Sequence, residues 1–271
     1  MESFTSIGVN NPKKEACNKV TGTAKYTDDT IVPNMLYGKI LTSTYSHAKI
    51  KSININEAIQ VTGVQSIITG DYYLGLLGTV IEDRPPIARD KVRYFGEPVA
   101  IVIANSEQDA MSAVNLIEVE YEPLPVVNSV IEAIKLNSPL IHENASQYNL
   151  AVEDVYHEPN SNIADHIKIR KGDLEKGFKE SNVIVDGSFS LPQSDHIAME
   201  TRNARAQILP NGQFIIYTSS QAPFSVKKLL SKAYNVPEGN ISVHVPFVGG
   251  GFEVYILGRL RSICRYRSTY G

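Results

Sequence analysis

Pro98-Val99-Ala100-Ile101-Val102-Ile103-Ala104-Asn105-Ser106-Glu107-Gln108-Asp109 is the stretch that settles the fold class. Val99 to Ala104 is an unbroken apolar run, the pattern of a strand buried on both faces. Ser106 then offers a helix N-cap, and Glu107 and Asp109 place carboxylates in the first turn, opening a helix to about Leu116. Beyond it, Glu118-Val119-Glu120-Tyr121-Glu122 alternates as an edge or half-exposed strand and ends at Pro123 and Pro125. Strand, helix and strand in succession make this an α+β protein.

Toward the N-terminus, 36–43 and 49–55 are strand-like, the second in clean alternation. A short helix is expected over 56–61 and a strand over 64–68. Gly75, Gly78, Pro85 and Pro86 mark 72–90 as a long loop. Toward the C-terminus, 126–162 is polar and irregular, with Asn137, Pro139, Pro159 and Asn160, and reads as a connector draped over a surface. A strand is expected over 166–170. Gly172-Asp173 then caps a helix to about Glu180, and further strands are expected over 183–191 and 203–209. Pro210-Asn211-Gly212 is a hairpin turn into a strand over 213–217. A helix over 224–234 carries Val226, Leu229, Leu230 and Ala233 on one face. The strand 241–245 follows. The chain divides into two units with no internal repeat.

The chain has 271 residues, 42% of them hydrophobic and 20% charged, which fits a globular protein with a sizeable core. A formal net charge of −3 argues against a broad nucleic-acid surface. No run is long and apolar enough for a transmembrane helix, and the start lacks a signal-peptide pattern. Cys17 and Cys264 have neither metal nor redox spacing. A reduced, cytoplasmic setting without membrane or nucleic-acid partners is the expectation.

Chemistry concentrates near the end. Gly249-Gly250-Gly251 exposes backbone amides and permits a ligand to approach the main chain. Gln221 closes a strand-like run, where a side-chain amide can donate to an anionic or metal-bound oxygen. Together they suggest a site for a large anionic cofactor, although three glycines alone more often make a flexible turn. Asp195, His196 and Glu200 suggest acid–base work, but such residues in a turn more often satisfy backbone groups. The six histidines, at 47, 142, 157, 166, 196 and 244, show no metal-ligand spacing. There is no Walker loop, nucleophile elbow or dinucleotide fingerprint.

Several ordered motifs carry a resemblance. They are Lys19-Val20-Thr21-Gly22-Thr23-Ala24-Lys25-Tyr26-Thr27-Asp28-Asp29, Met35-Leu36-Tyr37-Gly38, His47-Ala48-Lys49-Ile50 and Gly63-Val64. Asp90-Lys91-Val92-Arg93-Tyr94-Phe95-Gly96-Glu97-Pro98-Val99-Ala100 and Val119-Glu120-Tyr121-Glu122-Pro123-Leu124-Pro125 complete the series. This half resembles the α/β-hammerhead domain of the molybdenum-binding large subunit of xanthine dehydrogenases and aldehyde oxidases. The second half, through 196–200, Gln221 and Gly249-Gly250-Gly251-Phe252, resembles the first part of that family's molybdopterin-binding α+β domain. The division implied is a hammerhead domain over 15–125, a connector over 126–162 and a molybdopterin-binding part over 163–271.

The resemblance implies hydroxylation of a purine, another N-heterocycle or an aldehyde, with oxygen taken from water. It implies a molybdenum–molybdopterin cofactor, with a pterin dinucleotide as a variant, and 2Fe–2S and FAD groups on partner domains or subunits. Gln221 matches a glutamine that hydrogen-bonds an oxo ligand of molybdenum. Phe252 matches a phenylalanine beside the metal, and Gly249, Gly250 and Gly251 match the loop approaching the cofactor. The 31-residue separation of Gln221 and Phe252 agrees with the family pattern.

Departures follow Phe252. Glu253-Val254-Tyr255-Ile256 stands where the family continues Gly-Gly-Lys, and Ile256 takes the place of a substrate-facing acid. Arg259, Arg261, Arg265 and Arg267 interrupt an expected apolar helix. The family's catalytic glutamate has no counterpart, so no catalytic residue is assigned. The expectation is a truncated chain, inactive alone, whose partners are the remainder of the molybdenum subunit and iron–sulfur and flavin subunits. The alternative is a non-catalytic module docking those redox subunits.

Overall fold

The computed structural model describes residues 7–153, 155–167, 169–192 and 197–251. In chain order the elements are α1 (Ala16–Val20), β1 (Tyr37–Thr42), β2 (Ala48–Asn54), β3 (Val64–Thr69), β4 (Lys91–Val92) and β5 (Pro98–Ala104). Then come α2 (Glu107–Val114), β6 (Glu118–Pro123), α3 (Val130–Ala133), α4 (Leu174–Glu180), β7 (Ala204–Ile208), β8 (Phe214–Thr218), α5 (Pro223–Tyr234) and β9 (Ile241–His244). The mixture is α+β, as the sequence predicts. The chain packs as two compact units, one of residues 39–102 and 108–197, the other of 1–38, 103–107 and 198–271.

Two three-stranded sheets are ordered β1-β5-β3 and β4-β2-β6, the second lying wholly within the first unit. All seven residues of β5 are buried, which is why that stretch carries no polar side chain. Strand β6 pairs antiparallel with β2, from Ala48 opposite Pro123 to Asn54 opposite Glu118. Its alternation separates two tasks. Val119 and Tyr121 pack with Ile50 and Ile53 against a core of Ala48, Ala88, Val92 and Val99. On the other face, Glu122 accepts from Lys49 at 3.2 Å and pairs with Lys51, while Glu120 accepts from Ser52 at 3.2 Å.

The segment 126–162 is irregular apart from α3 and one 3-10 turn, but it is tied together by hydrogen bonds. Asn162 donates to the carbonyls of Ala133 and Pro139 and accepts from Ile141 N. The helix expected over 56–61 is only a 3-10 turn, Ala58–Gln60. Helix α4 starts where predicted, with the Asp173 side chain accepting from Lys176 N at 3.0 Å.

Two expected strands, 166–170 and 183–191, are absent among the described residues. Their apolar side chains stand in solvent: Ile169 is 87% exposed, Phe189 90% and Leu191 89%. Alternation and β-branching make these segments strand-like, but a strand exists only when a neighbour takes up its backbone groups.

The second unit carries the sheet β7-β8-β9. Its β7–β8 hairpin is antiparallel and turns at Gly212, whose φ of 81° suits glycine. Strands β8 and β9 run parallel, with Phe214 opposite Ile241 and Tyr217 opposite His244. Helix α5 is their crossover, and it ends in a left-handed Asn235. It buries Leu230 against Phe214, Ile216 and Ile241, flanked by Val226, Tyr234, Val236 and Val243.

Candidate functional site

Because β8 and β9 are adjacent and parallel, their C-terminal ends lie at the same edge of the sheet. The link from β8 to α5 carries Gln221, and the chain leaving β9 carries Gly249, Gly250 and Gly251. Crevices beyond the carboxyl ends of parallel strands are where α/β sheets bind ligands. Distant residues meet there: a Cβ on Gly251 would collide with the side-chain amide of Gln221. Gln221 is itself exposed, so its amide remains available for a ligand.

The other glycines are required for different reasons. A Cβ on Gly249 would stand 2.5 Å from Cβ of Glu200 and 3.4 Å from Cε1 of Tyr26. Gly250 has φ of 130°, a conformation that side-chain-bearing residues rarely adopt. Glu200 fixes the loop by two bonds. Its backbone N donates to Gly249 O at 3.1 Å, and its carboxylate accepts from Gly249 N at 2.7 Å. One of the amides expected to face a ligand is thus satisfied internally, and Glu200 plays the backbone-satisfying role that turn residues of this kind usually play.

Residues near the N-terminus buttress the same loop, a relationship that sequence reasoning missed. Tyr26 sets its ring 6.0 Å from that of Phe247, and Lys19 Nζ lies 5.6 Å from the Phe247 ring centroid. Tyr26 is held in turn by its backbone N, which donates to Asp29 Oδ2 at 2.8 Å. The motif Lys25-Tyr26-Thr27 was legible only as part of the hammerhead resemblance. Phe252, Asp195, His196 and the departures over 253–267 lie outside the described residues.

Two family models match. The aldehyde oxidase and xanthine dehydrogenase a/b hammerhead domain covers residues 21–125, and the molybdopterin cofactor-binding domain covers 155–253. The chain belongs to the aldehyde oxidase and xanthine dehydrogenase family. Among similar members, a probable xanthine dehydrogenase subunit from Bacillus subtilis is 33% identical over 249 residues, 90% of this chain and 31% of that protein. The nicotinate dehydrogenase large molybdopterin subunit of Eubacterium barkeri is 26% identical over 255 residues, 93% of this chain and 56% of that protein. The crystal structure of quinoline 2-oxidoreductase from Pseudomonas putida 86 superposes with a TM-score of 0.78 at 30% identity, covering 92% of this chain and 31% of that one. The chain therefore spans about a third to about half the length of these family members.

The residues present fit the molybdopterin group that defines this family. A loop without Cβ atoms lets an anionic group approach the backbone, and a neutral amide binds an oxo oxygen without protonating it. Helix α5 begins at Pro223, two residues beyond Gln221, so its positive end faces the same crevice.

Proposed function

We propose that this chain contributes the hammerhead domain and one wall of the cofactor site to a molybdenum-dependent hydroxylase. Its substrates would be purines, other N-heterocycles or aldehydes, with oxygen drawn from water. The observation that carries this reading is the placement of the Gln221 amide against Gly251 beyond two parallel strand ends. When bound, the molybdenum–molybdopterin group supplies the two-electron oxidation, with 2Fe–2S and FAD on partner subunits accepting the electrons. Gln221 would donate a hydrogen bond to an oxygen of the group, Gly250 and Gly251 would let it approach the main chain, and Glu200 would hold the loop still. Phe252 would flank the metal. The sequence domains 15–125, 126–162 and 163–271, the cytoplasmic setting and the redox-subunit partners belong to the same reading.

The test is expression in a host that makes the cofactor, together with the complementary part of the subunit. Molybdenum analysis and pterin fluorescence of the purified complex should show loading that falls when Gln221 is replaced by Ala. Undiminished loading in that variant, with the complex intact, would remove Gln221 from the site.

A second reading is supported by the exposed run 183–191: the chain could act as a docking module without catalysis. Co-purification with iron–sulfur or flavin subunits, but without molybdenum, would favour it.

A further inference from the structure

Within the unit of residues 39–102 and 108–197, described residues between 127 and 164, with Ile81 and Asp83, line an open cavity of about 340 Å³. This is at the lower end of the range of ligand pockets, about 300–1,000 Å³. Its walls are mainly apolar, with Ile81, Val127, Val130, Ile141, Leu150 and Ile163 contributing.

Most polar groups on the wall are already engaged. Asn162 uses its amide for Ala133 O, Pro139 O and Ile141 N. Ser161 Oγ donates to Glu158 O and accepts from Ile163 N. Ser129 Oγ caps α3 by accepting from Glu132 N. His142 Nδ1 and the Tyr148 hydroxyl share a hydrogen bond of 3.0 Å, with their rings edge to face at 5.6 Å.

His157 differs from these. Its Nε2 is buried with no hydrogen-bond partner among the described residues. A buried polar atom left unpaired forfeits the hydrogen bond it makes in water, so the site favours a ligand that can pair with it.

Charge narrows the ligand. Among the described residues no lysine or arginine lines the cavity, which disfavours an anion. Asp83, the one carboxylate on the wall among the described residues, lies 3.4 Å from its neighbour Arg84, which weakens its attraction for a cation. Burial lowers the pKa of His142 to about 4, so its ring is neutral near pH 7. The His142–Tyr148 ring pair adds aromatic surface.

We propose that this cavity binds a small uncharged aromatic molecule of one or two rings that makes one hydrogen bond to His157 Nε2. An N–H or O–H on the ligand pairs with Nε2 when that nitrogen is the acceptor tautomer, and a ring nitrogen or carbonyl pairs when it is the donor.

Indole, a donor, and quinoline, an acceptor, are suitable probes. Titration of the full chain, followed by the imidazole nitrogen resonances of His157, should show saturable one-to-one binding of at least one probe with a shift at Nε2. His157→Phe should weaken that binding about tenfold, the equivalent of about 1.4 kcal/mol. Ala133→Trp, which fills the cavity, should abolish it while the circular dichroism spectrum is unchanged. Absence of saturable binding by either probe would overturn the proposal, as would an unmoved His157 resonance. So would undiminished affinity in His157→Phe, or binding that persists in folded Ala133→Trp.

Discussion

Glu200 and Gly249 hold each other by two hydrogen bonds, one from the Glu200 backbone N to Gly249 O at 3.1 Å and one from Gly249 N to the Glu200 carboxylate at 2.7 Å. The loop that leaves β9 is thereby pinned to a residue 49 positions earlier, and its Gly251 stands against the Gln221 amide. Replacing Glu200 with Ala should destabilise the chain by about 1–3 kcal/mol, because Gly249 N loses a charged acceptor. Gly249→Ala should also destabilise, and Glu200→Ala should not rescue it, since the clash is with Cβ of Glu200, which alanine retains. Urea unfolding of the two variants and the double variant checks both statements.

Gly251→Ala should displace the Gln221 side chain, because the new methyl needs the space that the amide fills. The expected outcome is a shift of the Gln221 side-chain NH₂ resonances in a 15N correlation spectrum, with the resonances of α5 and β7 nearly unmoved. The measurement needs no cofactor. Unchanged Gln221 signals would separate the two residues.

His142 makes stability depend on pH. Its pKa falls from 6.5 to about 4 on folding, chiefly through burial and secondarily through Arg93. The unfolded chain therefore binds the extra proton first as pH falls, and stability is lost between about 6.5 and about 4. The loss is at most about 3 kcal/mol, reduced by solvent screening at this partly open site. His142→Phe should flatten that part of the stability–pH profile relative to the parent chain. An identical slope in both proteins would count against the shift.

Leu230 is 2% exposed and fills the core between α5 and the β7-β8-β9 sheet. Leu230→Ala should lower stability by about 2–5 kcal/mol. If thermal unfolding of the variant follows that of the parent closely, the packing described for α5 is wrong.

Phe189 and Leu191 are 90% and 89% exposed, so they make little contact to lose. Phe189→Ser with Leu191→Ser should change stability by no more than about 0.5 kcal/mol per site while reducing self-association. Light scattering and thermal unfolding together check the pair. A large fall in melting temperature would show that the segment is packed.

Sequence reading succeeds where a signal is local. The buried strand β5, helix α2, the Gly212 hairpin and the α5 face all follow from apolar period, capping and turn chemistry within a dozen residues. It fails at 166–170 and 183–191, whose strand-like composition says nothing of whether a partner strand exists. At the candidate site, Gln221 and the glycines were legible as separate features. The clamp by Glu200 and the buttress from Tyr26 and Lys19 were not, because no short-range pattern links residues so far apart along the chain.

By itself the sequence determined the α+β class, the hammerhead and molybdopterin-binding resemblance, and the residue types able to receive an anionic cofactor. Those properties are carried by side-chain chemistry and by periodicities set within each element. Only the tertiary structure decided that Gln221 faces Gly251, that Glu200 consumes the first loop amide, and that His157 Nε2, beside an apolar cavity, is buried with no hydrogen-bond partner among the described residues. These depend on the parallel pairing of β8 with β9 and on how irregular chain closes on itself. Such distances are fixed by packing between elements, which one-dimensional patterns do not encode.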